Sequence, residues 1–201
     1  RDLMGLGRTA EARTDLNNAL DWAGEAENRE RVEADVSLAM AELELLTDPG
    51  AAMKTLSKVV DVYRELKMGW ILPSALHTTA MAALASDSVA AARRYLDQAI
   101  QQIERQRASF FTVDTRAKLY ETVEKIFDTI IALELDDRPE SAFNYLERSR
   151  EAARSIGEGT EQSAAQRLDR VRAAVPRGMV LLNYALLPER VAVWAISQHD
   201  S

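Results

Sequence analysis

The sequence predicts a mainly helical protein: an α-solenoid of helical hairpins, then a short helix and a β hairpin that belong to an α/β domain. Three observations carry this expectation. Of 201 residues, 47% are hydrophobic and 28% charged, with only 8 Gly and 5 Pro. That composition excludes disordered and fibrous classes and leaves little turn chemistry for a many-stranded sandwich. A small, large, small triplet at i, i+4 and i+7, which is one face of a helix, occurs four times. After residue 178 the apolar pattern changes from helical to strand-like.

The triplets are Ala12, Leu16, Ala19; Ala52, Leu56, Val59; Ala92, Leu96, Ala99; and Ala142, Leu146, Ser149, at intervals of 40, 40 and 50 residues. They place second helices of hairpins near 9–22, 49–66, 88–107 and 139–155. Each is introduced by turn or capping residues: Gly7-Arg8-Thr9, Asp48-Pro49-Gly50, Asp87-Ser88 and Asp137-Arg138-Pro139-Glu140. An Asp side chain accepts from the free amides of a first turn, and Pro is tolerated there because its missing donor had no partner. Amphipathic first helices are predicted over 31–46, 72–85 and 115–135. Helix pairs repeating at about 34 to 47 residues form α-solenoids, in which each hairpin buries its apolar face against its neighbours. The longer last interval predicts taller helices and a longer connection between the third and fourth hairpins.

The triplet face resembles the tetratricopeptide repeat (TPR). That family also places a large, a small and a large residue 16, 12 and 9 positions before the triplet's first Ala. Counting back gives Val36, Met40, Leu43; then Leu76, Ala80, Ala83; then Ile126, Ile130, Leu133. The family's first-helix Trp, Gly and Tyr are absent, and its closing Pro is replaced by Arg64, Glu104 and Arg154, so residues 1–155 read as a degenerate array. Its first hairpin lacks a first helix, so the array is expected to extend on its N-terminal side.

After Arg154, Gly157 and Gly159 interrupt the helical pattern and read as a hinge. A short helix with Leu168, Val171 and Val175 on one face is then stopped by Pro176-Arg177-Gly178. Two apolar runs, 179–187 and 191–197, flank Pro188-Glu189-Arg190 and predict a β hairpin. Both strands are apolar at nearly every residue, so both faces are expected to be buried in a larger sheet. The helix, Pro-Arg-Gly, Val180-Leu181-Leu182-Asn183-Tyr184, the turn and Val191-Ala192-Val193-Trp194-Ala195-Ile196 together resemble the opening of a CHAT domain, the caspase-like module that commonly follows TPR arrays. The domain boundary is expected near 156. None of that family's active-site positions falls on these residues.

Composition restricts the chemistry. The chain has no Cys and two His, His77 and His199, so neither thiol catalysis nor a zinc finger is expected, and no cofactor or metal site is assigned. A net charge of -7 disfavours a hold on phosphate backbones, so nucleic acid is not an expected partner. No apolar run has the length of a membrane span. A cytoplasmic location is expected, and the excess of Arg over Lys hints at a bacterial source. Glu25-Ala26-Glu27 and Glu42-Leu43-Glu44 read as solvated faces, Asp136-Asp137 as a helix cap, and Trp22, Trp70 and Trp194 as packing residues, with Trp70 the most exposed.

By the TPR resemblance, the binding groove is lined by the positions 15 and 11 residues before each Ala: Ser37 and Ala41, His77 and Met81, Phe127 and Ile131. Glu124 and Glu134 are placed on its rim. The Lys and Asn that clamp a peptide's terminal carboxylate in some members are absent. Met81, Phe127 and Ile131 are expected to offer an apolar floor suited to an amphipathic helix. The function implied is a protein-protein interaction module, a scaffold or regulatory array of a larger protein with a CHAT domain. One alternative is part of a caspase-like cysteine peptidase whose active site lies beyond these residues. Another is the effector-sensing arm of a bacterial regulator. The exposed C-terminal strands add the expectation of a homodimer.

Overall fold

A computed structural model of the chain describes residues 8–24, 26–106, 113–154 and 164–198. Among the described residues it is mainly helical, with eight helices and one two-stranded antiparallel sheet. Two compact units divide between residues 106 and 107.

The first unit contains α1 (Thr9–Ala23), α2 (Arg29–Glu44), α3 (Pro49–Glu65), α4 (Leu72–Ala85) and α5 (Val89–Gln106). Each helix packs on the next in sequence. The triplets lie at the centre of this packing: Ala52, Leu56 and Val59 of α3 and Ala92, Leu96 and Ala99 of α5 are all buried. Local chemistry sets the boundaries. Asp48 Oδ1 accepts from the Ala51 amide at 2.9 Å, and Pro49 opens α3 at its first position. Two helices close through left-handed residues that are not Gly. Lys67 and Asp87 both have φ of 54°, and beyond them Met68 N donates to the Tyr63 carbonyl and Ser88 N to the Ala83 carbonyl, each at 2.8 Å. These are the six-to-one bonds of a Schellman closure.

The expected taller helices are present: α5 has 18 residues, against 17 in α3 and 14 in α4, and the next helix has 22. The connection between α5 and that helix, like the Gly157–Gly159 hinge, lies outside the described residues.

The second unit contains α6 (Val113–Glu134), α7 (Pro139–Arg154), α8 (Ala164–Ala174), β1 (Leu181–Leu186) and β2 (Val191–Ile196). The compact units therefore divide about fifty residues before the change of composition near 156, and the expected fourth hairpin, α6 with α7, lies with the sheet. Packing explains the grouping. Phe143 of α7, Leu168 of α8, Val175 and Ile196 of β2 form one buried cluster, with Val171 and Trp194 against it. The Trp194 ring meets Phe143 edge-on, centroids 5.9 Å apart, and its indole N–H donates to the Pro139 carbonyl at 2.9 Å.

A turn leads from α8 into β1, with Met179 N donating to the Pro176 carbonyl at 3.1 Å. Gly178 takes φ of 75° there, a conformation that costs an L side chain about 1–2 kcal/mol. The strands pair Leu182 with Ala195, Tyr184 with Val193 and Leu186 with Val191. Leu187 N donates to the Arg190 carbonyl at 2.9 Å and closes the hairpin.

Within this chain one face of the hairpin is covered; the larger sheet expected to cover the other lies outside this sequence. Ala185, Leu187, Ala192 and Ile196 are buried, whereas Leu182, Tyr184, Leu186, Val191 and Val193 are exposed. The reason is the period of two along a strand: one set of side chains enters the core shared with α7 and α8, and the alternate set faces away from it. Asp136, read from sequence as a cap, does something else. Arg190 Nη1 lies 3.0 Å from both its carboxylate oxygens, and Arg190 Nη2 donates to the Ala132 carbonyl at 2.6 Å. The hairpin turn is thereby tied to the end of α6.

Candidate functional site

The residues expected to line a groove lie on three helices. Ser37 and Ala41 are one turn apart on α2, and His77 and Met81 one turn apart on α4. Glu124, Phe127 and Ile131 are on α6, in the second unit. Ser37, His77 and Met81 are half-buried and Glu124 is exposed. The other three are corrected by the structure: Ala41 is fully buried, and Phe127 and Ile131 are each only 1% exposed. They belong to the core and present no floor to a ligand.

Helix geometry explains the correction. On α2 the buried stripe is Ala34, Leu38 and Ala41, because this helix packs on α1 as well as on α3 and buries more than one face. On α6, adjacent apolar residues recur on successive turns, as Ile126-Phe127 and Ile130-Ile131, and all four are buried. The stripe is wider than the three positions that the repeat pattern counts. Glu134, placed on the rim from sequence, is also buried at 1% exposure. Its carboxylate is held by the Arg138 guanidinium, with Nη2 on Oε1 and Nε on Oε2, both at 2.6 Å. A buried carboxylate requires such a partner, since an unpaired charge is costly away from water.

Of the expected groove residues in the first unit, Ser37, His77 and Met81 keep exposed surface. At one end of α2 the structure adds a polar chain that sequence reading did not find. The Tyr63 hydroxyl, on a fully buried ring, donates to Asp35 Oδ1 at 2.7 Å. Asp35 Oδ2 lies 3.7 Å from Arg31 Nε, and the Arg31 guanidinium sits 6.0 Å from the Trp70 ring centroid. Half of the Trp70 surface is exposed, but Trp22, at 75%, is more exposed still, so Trp22 is not the packing residue expected and Trp70 is not the most exposed of the three. The i, i+4 spacing of Arg31 and Asp35 was a visible signal for the ion pair. The approach of Trp70 was not, because it depends on how the α3–α4 turn folds back.

In the second unit, Asp128 of α6 has a carboxyl pKa raised above the ordinary 3.8, first by burial and then by repulsion from Glu124. Among the described residues no group of three or more His, Cys, Asp or Glu is arranged to hold a metal ion, and no helix is long and apolar enough to cross a membrane.

No family model, curated protein or solved structure matches the chain.

Proposed function

We propose that the helical hairpins form an α-solenoid of TPR type that serves as a protein-binding module, taking an amphipathic helical segment of a partner protein. The observation that carries this reading is the recurrence of one buried pattern in successive hairpins. Ala52, Leu56 and Val59 correspond to Ala92, Leu96 and Ala99, and Ala142 and Leu146 are buried at the same offsets. The second helices of neighbouring hairpins also touch: Arg64 of α3 donates to Gln98 Oε1 of α5 at 2.7 Å, the nearest-neighbour contact from which solenoids are built.

Under this reading the ligand contacts are Ser37, His77 and Met81, with the adaptable thioether of Met81 against the partner's apolar face. Peptides displayed as a helical library and panned on the chain should enrich sequences with apolar residues at i, i+3 or i+4, and i+7. Their affinity should fall at least tenfold in Met81→Glu and in Ser37→Arg while the far-ultraviolet circular dichroism is unchanged. Amidating the peptide C-terminus should leave binding as it was, because no carboxylate clamp is present. Failure to enrich such peptides, or undiminished binding to both variants, sinks the reading.

A second reading is that the module regulates, or is part of, a caspase-like cysteine peptidase. It draws on the order helix, tight turn, antiparallel hairpin taken by residues 164–196, which is the order that the resemblance to a CHAT domain implies. With no Cys in 201 residues, the thiol nucleophile of such an enzyme has to come from outside this sequence.

A further inference from the structure

The hairpin's outward face is apolar at every position. Leu182 stands opposite Ala195, Tyr184 opposite Val193, and Leu186 opposite Val191, and all six are exposed. The inner face is taken by α7 and α8, and the outer edge of β1 is partly closed, since Arg150 Nη2 donates to the Tyr184 carbonyl at 3.0 Å. The outward face is exposed among the described residues, and its residues are sorted by size. β1 contributes the large side chains Leu, Tyr and Leu, and β2 contributes the small ones Ala, Val and Val.

The geometry points to a second copy of this chain as the occupant of the face. A two-fold axis parallel to the strands, lying between two stacked hairpins, carries β1 of one copy over β2 of the other. The large row of each then enters the small row of its partner, with Tyr184 of one copy over Val193 of the other. Large-against-small alternation is how facing layers interdigitate, and such a contact is isologous and closed, so it ends at a dimer. The face carries no charge, so meeting itself opposes no like charges. Together with exposed Val180 just before β1, it is a contiguous apolar patch, the kind of exposed surface that marks an interaction site. This inference concerns the second unit and does not depend on the solenoid reading.

Light scattering after size exclusion, with the 201-residue chain at about 100 μM, should give twice the 22.4 kDa chain mass. Val193→Lys and Tyr184→Lys should each return the mass of a single chain, whereas Leu46→Lys, at an exposed position on the first unit, should leave the dimer intact. A single-chain mass for the unaltered protein overturns the proposal, and so does a dimer that persists in both outer-face variants. Should either Lys variant lose its circular dichroism signal, cross-linking decides. With no native Cys, Tyr184→Cys and Val193→Cys can be joined by a bis-maleimide spanning about 10 Å, the spacing of stacked sheets. Each variant and their mixture should cross-link, because sheets about 10 Å apart with strands about 4.8 Å apart leave like and unlike positions within about 11 Å of each other; no cross-linking would exclude the proposed packing.

Discussion

Individual residues settle the ends of helices and the fate of charges. Lys67 and Asp87 share φ of 54°, but the conformation is less costly for Asp, whose short side chain bonds locally, than for Lys. Lys67→Gly should therefore stabilise the chain by about 0.5–1 kcal/mol, the left-handed penalty less the extra entropy that Gly loses on folding, and Asp87→Gly should gain less. Urea unfolding followed at 222 nm, with an unchanged slope, checks both. Asp128 gives a pH test. Its folded pKa is raised by burial and by Glu124, so the folded state holds this proton more tightly than the unfolded chain does. Its charged form then opposes folding, and this cost grows as pH rises from the ordinary 3.8 through the raised folded value. Asp128→Asn should remove that slope and leave the protein at least as stable as the parent at pH 7. A parent whose stability, relative to the Asn variant, rises across the same window would contradict the assignment. Asp48 as a cap was legible from its place before Pro49. The capture of Asp136 by Arg190, 54 residues away, was not.

At the scale of elements, helices are held by packing that their sequence announces, whereas the hairpin depends on neighbours. Its buried residues Ala185, Leu187 and Ala192 are modest in size, and a two-stranded sheet alone is marginal in water. Phe143 supplies the missing apolar mass from α7, with the Trp194 ring edge-on to it. Phe143→Ala should cost roughly 3–5 kcal/mol, as large aromatic truncations in cores do. The readout is amide exchange at Leu181, Asn183, Ala185, Ala192 and Trp194, which should accelerate at least a hundredfold, along with a red shift of Trp194 emission. Retained protection in β1 and β2 would mean that the hairpin stands without this contact. The same dependence explains why strand existence and turn position were legible from the two apolar runs and Pro188, while the face that is covered within this chain was not. A strand's sequence shows two apolar faces, and only the position of α7 and α8 decides which of them is covered.

Over the whole molecule, charge follows the chain in a way the sequence alone makes plain. Residues 1–137 hold 16 basic and 24 acidic residues, a balance of -8, and residues 138–201 hold 9 and 8, a balance of +1. The count of helices, their order, the lengthening of the later ones and the position of the hairpin turn were likewise available from periodicity and turn chemistry, because these are local properties written within one or two turns of chain. The candidate site was legible only in part. Ser37, His77 and Met81 keep exposed surface, but Ala41, Phe127 and Ile131 do not, since a helical position faces solvent or core according to how many neighbours flank its helix. The division at 106/107, the burial of Glu134, the approach of Tyr63 and Trp70 to the Arg31–Asp35 pair and the exposure of one sheet face all depend on the tertiary structure. The sequence by itself determined which segments are helix and strand, because backbone hydrogen bonding and apolar spacing act over a few residues. Tertiary structure decided which faces are free, because burial depends on contacts between residues far apart in the chain.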